Sequence, residues 1–228
     1  MDDSQGLPCL GLVMDGNRRW ARARNLPVYE GHAEGYKKLR EVLGWARRAR
    51  IPHVVAYAFS TENWNRAEEE VGYLLNLFRN VLKNEMQKLS EEDARIRFVG
   101  DTSRFPEDLQ NLMREREAST KDHAGPTLHL LVSYGGREEI VAAANKLLAK
   151  GVSEVTNDTF ATQLWSHPMP DPDLIIRTGG EKRLSNFLPW QSTYSELFFL
   201  DTLWPDFSEE EFDAVLAEFA ARERRHGK

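Results

Sequence analysis

Short apolar runs alternate along this chain with longer stretches whose apolar residues recur every three or four positions. Leu10-Gly11-Leu12-Val13 predicts a buried strand, and Trp20-Ala21-Arg22-Ala23-Arg24 a helical stretch close behind it. A second helix is predicted from Gly31-His32 to Arg50, with Tyr36, Leu39, Val42, Leu43 and Ala46 on one face. Ile51-Pro52 ends it. His53 to Phe59 is rich in β-branched and aromatic residues and predicts a strand, with the polar loop Ser60–Arg66 at its carboxyl end. A long helix follows from Glu68 to Leu89, with Val71, Leu74, Leu75, Phe78, Leu82 and Met86 at helical spacing. That stripe is core by default; the sharper reading makes it the wall of a lipid site.

Further strands are predicted at Arg95–Val99, Thr127–Ser133, Leu174–Ile176 and Ser195–Phe199. Between them lie a helix opened by Phe105-Pro106 and running to about Lys121, one from Gly135-Gly136 to Lys150, and a short one over Asn157 to Trp165. Ser208 caps a last amphipathic helix that ends in Arg222-Glu223-Arg224-Arg225. Strands alternating with helices predict an α/β fold: one domain over 1–228, with a mostly parallel central sheet of about six strands flanked by helices. Such sheets bind ligands beyond the carboxyl ends of their strands. Asp15, the Ser60–Arg66 loop, Gly135-Gly136 and Arg177–Arg183 all fall there, so the pattern predicts one cleft.

Composition narrows the picture. Hydrophobic residues at 41% and charged residues at 29% are ordinary for a globular protein. A net charge of −6 gives no global field for nucleic acid, so any anion site must be a local basic cluster. The single cysteine, Cys9, excludes an internal disulfide and sits in an apolar run as a packing residue. The acidic start, Met1-Asp2-Asp3, lacks the basic flank of a secretory signal, and no apolar run reaches the roughly 20 residues of a membrane span. A cytoplasmic location, with at most peripheral membrane contact, is the expectation.

Two segments carry candidate chemistry. In Met14-Asp15-Gly16-Asn17-Arg18-Arg19-Trp20 a carboxylate follows a strand, a glycine turns the chain, and Asn17 is positioned to cap a helix whose first turn holds two arginines. Helix starts and arginines attract phosphate. Asp15 would repel a bare diphosphate, so its natural companion is a divalent cation bridging the two. The bland alternative is a capped helix with a solvated basic face. In Arg177-Thr178-Gly179-Gly180-Glu181-Lys182-Arg183-Leu184-Ser185, glycines allow close approach while Arg177, Arg183 and the Ser185 hydroxyl can meet phosphate oxygens. It matches neither a Walker A loop nor the dinucleotide fingerprint. Glu196, on an otherwise apolar strand, is costly in a core unless paired, which favours a place for it in the site.

The heptapeptide 14–20 resembles the signature of the cis-prenyltransferases, the undecaprenyl diphosphate synthase family. Gly31-His32, Tyr57–Arg66, Phe98–Asp101, Tyr134–Arg137, Asp173–Phe187, Tyr194–Phe199 and Leu203–Phe207 resemble further family motifs, in the family's order. The resemblance implies Mg²⁺-dependent condensation of isopentenyl diphosphate with an allylic diphosphate, farnesyl or geranylgeranyl, to a Z-polyprenyl product such as undecaprenyl diphosphate. It implies an apolar tunnel along helices two and three. Asp15 would be the essential carboxylate and Asn63 would lie near the reacting centre. Gly16, Asn17, Arg18 and Arg19 would form the allylic diphosphate loop, with Trp20 also substrate-binding. His32, Ser60, Thr61, Glu62, Trp64 and Arg66 would bind substrate, several of them on a loop that closes over it. Arg177, Arg183 and Ser185 would hold isopentenyl diphosphate, and Glu196 would neighbour Asp15 at the metal. The resemblance further implies a homodimer in which Arg225-His226-Gly227 reaches the partner's site.

Three positions depart from the pattern of many bacterial members: Arg18 stands in place of a glycine, Val28 in place of an arginine, and Lys182 in place of a histidine found in some members near the metal. They leave the reaction class intact and leave primer and chain length open. The rival readings are a short-chain or irregular cis-prenyl diphosphate synthase, a non-catalytic partner subunit and a generic phosphate-binding module.

Overall fold

The computed structural model describes residues 6–85 and 93–222. Its centre is a six-stranded parallel sheet of β1 (Cys9–Val13), β2 (His53–Ser60), β3 (Arg95–Val99), β4 (Thr127–Tyr134), β5 (Leu174–Arg177) and β6 (Glu196–Phe199). The order across it is β3-β4-β2-β1-β5-β6. β1 and β4 are buried along their whole length, as strands covered on both faces must be.

The helices are α1 (Asn17–Ala23), α2 (Val28–Arg48), α3 (Glu68–Asn80), α4 (Glu107–Thr120), α5 (Gly136–Ala149), α6 (Asn157–Ala161) and α7 (Glu209–Ala221). A 3-10 turn over Thr61–Asn65 follows β2, and α3 runs into a π-helical turn over Val81–Glu85. Met86 and Leu89, predicted at the end of the third helix, lie outside the described residues. One apolar cluster joins α2, α4 and α7 to one face of the sheet, with Trp204, Phe207 and Phe212 fully buried in it. A smaller cluster around Ile175, Phe187 and Tyr134 covers the other face.

β2 departs from simple alternation. Tyr57 pairs with Leu131 and Phe59 with Val132, so Ala58 is the extra residue of a bulge. Alternation predicts Tyr57 and Phe59 on one face. The bulge sends them apart instead, Phe59 into the larger cluster and Tyr57 against Phe187 in the smaller. At the outer strand β3, the backbone N–H groups of Ile96 and Phe98 donate to Thr120 Oγ1 at 3.1 Å and Glu117 Oε1 at 2.8 Å.

Candidate active site

Just past the end of β1, Asp15 stands at the mouth of a cavity of about 370 Å³. Arg177, the last residue of β5, donates from Nη2 to Asp15 Oδ2 at 2.9 Å, while Arg19 Nη2 lies 3.2 Å from Oδ1 on the other side. The Arg177 side chain is 5% exposed and that of Asp15 is 32%. A nearly buried cation is thus balanced by a carboxylate that still faces the cleft. Arg177 Nη1 also donates to Ser185 Oγ at 2.8 Å and to the Arg183 carbonyl; its Nε is buried without a hydrogen-bond partner.

Neighbouring backbone fixes this arrangement. The Asp15 carbonyl accepts from Thr178 Oγ1 at 2.8 Å and from the Trp204 N–H at 3.0 Å. Arg19 Nη1 donates to the Gly179 carbonyl at 2.7 Å. Gly179 has φ +88, which L side chains rarely adopt, and a Cβ there would fall 2.5 Å from Arg19 Nη2, so glycine suits the close meeting of the two loops. Gly16, not Asn17, occupies the cap of α1, with φ 112. Asn17 opens the helix and turns back, donating from Nδ2 to the Met14 carbonyl at 3.2 Å. Its Oδ1 is buried without a partner and lies against Gly35 of α2, where a Cβ would be 2.2 Å away.

A second ionic group forms where α2 meets α3. Glu70 lies 2.8 Å from Arg66 Nη1 and 3.5 Å from Arg18 Nη1. Burial, then the charges of Arg66 and Arg18, lower the His32 pKa to about 4 against the opposing pull of Glu70, so the imidazole is neutral at pH 7. Its Nε2 is buried and unpartnered. Glu70 was not evident as a site residue, although its spacing of four from Arg66 is an ion-pair signal.

The loop after β2 is internally braced. The Ser60 N–H donates to Asn63 Oδ1 at 3.0 Å in a reciprocal capping box. Trp64 packs edge-on against Phe59 and Phe105 and donates from Nε1 to Ser133 Oγ at 2.9 Å. Thr61 Oγ1 donates to Glu62 Oε2 at 3.3 Å. Burial would raise the Glu62 pKa, but hydrogen bonds from its own N–H and from Ser60, Asn186 and Thr61 outweigh that and lower it. Below these polar groups the cavity turns apolar, lined by Tyr36 and Leu39 of α2, Leu74, Leu77 and Phe78 of α3, and Ala58, Leu128 and Leu130 of the sheet.

Of the predicted site residues, Asp15, Asn17, His32, Ser60, Asn63, Arg66, Arg177 and Ser185 line this one cavity, and Arg19 reaches it through Asp15. Trp20 instead donates to Asp206 Oδ1 at 2.7 Å, under the Arg24 guanidinium. Arg183 is exposed and paired with Glu181. Glu196 stands apart from the cavity. It opens β6 opposite Leu174, at the amino end of the sheet, and accepts from Arg222 Nη1 at 2.7 Å. With Leu174 in turn opposite Leu10, Glu196 is set back from Val13 by three residues of strand, roughly 10 Å. What balances its charge within the chain is Arg222. Among the described residues, no three His, Cys, Asp or Glu side chains converge as a metal cluster. Arg225 to Gly227 lie outside the described residues.

Fold and site together define an α/β protein with an arginine-rich rim over an apolar cavity, and comparison with known proteins gives that class its chemistry. The model of the prenyltransferase family described as undecaprenyl diphosphate synthase matches residues 13–227. Isoprenyl transferase of Neisseria gonorrhoeae is 45% identical over 96% of this chain and 88% of its own length. That of Aquifex aeolicus is 42% identical over 96% and 95%. The crystal structure of lavandulyl diphosphate synthase from Lavandula x intermedia, in complex with dimethylallyl diphosphate, superposes with a TM-score of 0.92 at 34% identity, covering 97% of this chain and 98% of that one. The chain belongs to the undecaprenyl diphosphate synthase family of cis-prenyltransferases and is a transferase.

Proposed function

We propose that the enzyme condenses isopentenyl diphosphate with an allylic diphosphate of farnesyl or geranylgeranyl size to give a Z-polyprenyl diphosphate such as undecaprenyl diphosphate. One observation carries this reading: Asp15 is held between Arg19 and Arg177 at the polar mouth of a cavity whose depth is apolar. The allylic diphosphate takes the α1 side, at Arg18, Arg19 and the Asn17 turn, with its chain pointing down between α2 and α3. Isopentenyl diphosphate takes Arg177, Arg183 and Ser185. The guanidiniums offset the charge of the departing diphosphate, and fixed donors of this kind are worth of order 3–4 kcal/mol each in a transition state. Leucine and phenylalanine walls keep water from the allylic cation left behind. Neutral His32 and the Ser60–Asn63 pair hold polar atoms beside the reacting carbons without adding a cation there.

Asp15 fits Mg²⁺ in the usual manner for that ion, as one half-exposed carboxylate whose remaining ligands are substrate phosphates and water. When bound, the ion would neutralise diphosphate charge and favour its departure. The active form is proposed to be a homodimer completed by the partner's C-terminal residues, with the lipid product bringing the enzyme to membranes. No helix among the described residues is long and apolar enough to cross one. A shorter product is the second reading, supported by the dimethylallyl diphosphate in the lavandulyl diphosphate synthase structure and by a cavity near the small end of the 300–1,000 Å³ range of ligand sites.

Asp15→Asn tests the assignment. Alanine would strand the buried Arg177 cation, a costly loss in itself, whereas asparagine keeps an acceptor for it. Turnover of isopentenyl and farnesyl diphosphates should fall by about 10²–10³-fold with the melting temperature held within a few degrees. Activity within tenfold of wild type at saturating Mg²⁺ would sink the reading.

A further inference from the structure

Ser185, Asn186 and Leu188 all adopt positive φ, at 51°, 66° and 48°, within one short turn beside the Arg177 guanidinium. Left-handed backbone disfavours most side chains and is tolerated best, after glycine, by asparagine and aspartate. Tolerance alone does not explain what the Asn186 side chain does. Its Oδ1 accepts from the Arg137 N–H at 2.9 Å, and its backbone carbonyl accepts from the Gly136 N–H at 2.9 Å. Its Nδ2 donates to Glu138 Oε2 at 3.0 Å and to Glu62 Oε1 at 3.2 Å. The amide therefore lies between two carboxylates, Glu62 of the turn after β2 and Glu138 of the first turn of α5. Gly135 makes room for the cluster: a Cβ there would meet Glu138 Oε2 at 2.1 Å, Thr61 Oγ1 at 2.6 Å and Asn186 Nδ2 at 2.8 Å.

We propose that Asn186 is a positioning residue that couples the two halves of the site. Resting on the substrate assignment above, the inference is that the Asn186–Glu62 bond ties the Ser60–Arg66 loop to the turn carrying Ser185. Substrate held against either segment then stiffens the other, and the second substrate finds its loop already ordered. Reciprocity is required, since a coupling between two binding sites acts equally in both directions.

Asn186→Gly separates this role from a backbone one, because glycine keeps the left-handed turn and removes only the side chain. Calorimetric titration of isopentenyl diphosphate is done with and without saturating farnesyl S-thiolodiphosphate, whose sulfur blocks turnover. In the wild type the primer analogue should tighten isopentenyl diphosphate by at least about fivefold. In Asn186→Gly that ratio should fall below about twofold, and Glu62→Ala should lower it equally, with no further loss in the double variant. A wild-type ratio of one, or a ratio preserved in Asn186→Gly, overturns the coupling. If Asn186→Gly fails to fold, Glu62→Ala decides by the same criterion. A wild type that binds neither compound would instead overturn the substrate assignment, which keeps the two failures distinct.

Discussion

Helices α2 and α3 carry the same amphipathic pattern and meet different fates. Beyond Tyr36 and Leu39, which reach the cavity, the apolar face of α2 is packed: Val42, Leu43 and Ala46 are each no more than 3% exposed. On α3 no residue is fully buried, and Leu74, Leu77 and Phe78 look into the cavity. Periodicity in a sequence reports that a face needs cover but not what supplies it. For most of α2 the cover is the protein; part of α3 faces the cavity, where the proposed allylic chain would cover it. A helix whose apolar face lines a cavity should contribute less to folding than one whose face is packed, and on the proposed function more to what is made.

Substitutions that treat the two helices alike should expose the difference. Leu43→Ala, in the packed face, should cost about 2–5 kcal/mol in urea unfolding. The seam between the helices gives the next largest effect, through His32. Its folded pKa of about 4 lies below the ordinary 6.5, chiefly through burial, so the unfolded chain binds the extra proton as the pH falls. Stability at neutral pH is unaffected, and about 1.4 kcal/mol is lost per pH unit between 6.5 and 4. His32→Gln should flatten that acid slope; equal slopes in the two proteins would contradict a neutral, buried imidazole. Leu77→Ala, the α3 counterpart of the first change, should cost about 1 kcal/mol or less while shifting product length. A loss as large as that of Leu43→Ala would erase the distinction between the helices.

The smallest effect on stability is expected at Ala58. It lies in the bulge of β2, without a ladder partner, and opens onto the cavity opposite α3. Ala58→Leu should shorten the product, read by reversed-phase chromatography, with the melting temperature little changed. An unaltered product with a stability loss of about 1–3 kcal/mol would mean overpacking of an ordinary core.

Much of this arrangement was legible in the sequence. The strands stand where runs such as Leu10–Val13 and Thr127–Ser133 put them, and the rule that ligands gather at carboxyl ends brought Asp15, Ser60, Asn63 and Arg177 into one cleft. What escaped depended on contacts between distant segments. Asn17 has a good capping side chain, but its approach to Gly35 and the positive φ of Gly16 decide the cap. Glu196 is costly on an apolar strand without a partner, and that partner, Arg222, comes from beyond the last helix. The bulge at Ala58 reversed an inference from strict alternation, because no local feature announces an extra residue in a ladder.

The outer strand β3 has one more consequence, for the solution behaviour of the protein. An outermost strand of a parallel sheet offers a row of free amides to any extended chain that drifts by. Here Thr120 and Glu117 of α4 already occupy the amides of Ile96 and Phe98, while Arg95 and Arg97 alternate along the same strand. At the opposite border β6 is only four residues long. Along these two borders the described residues thus offer little template for the addition of another extended chain.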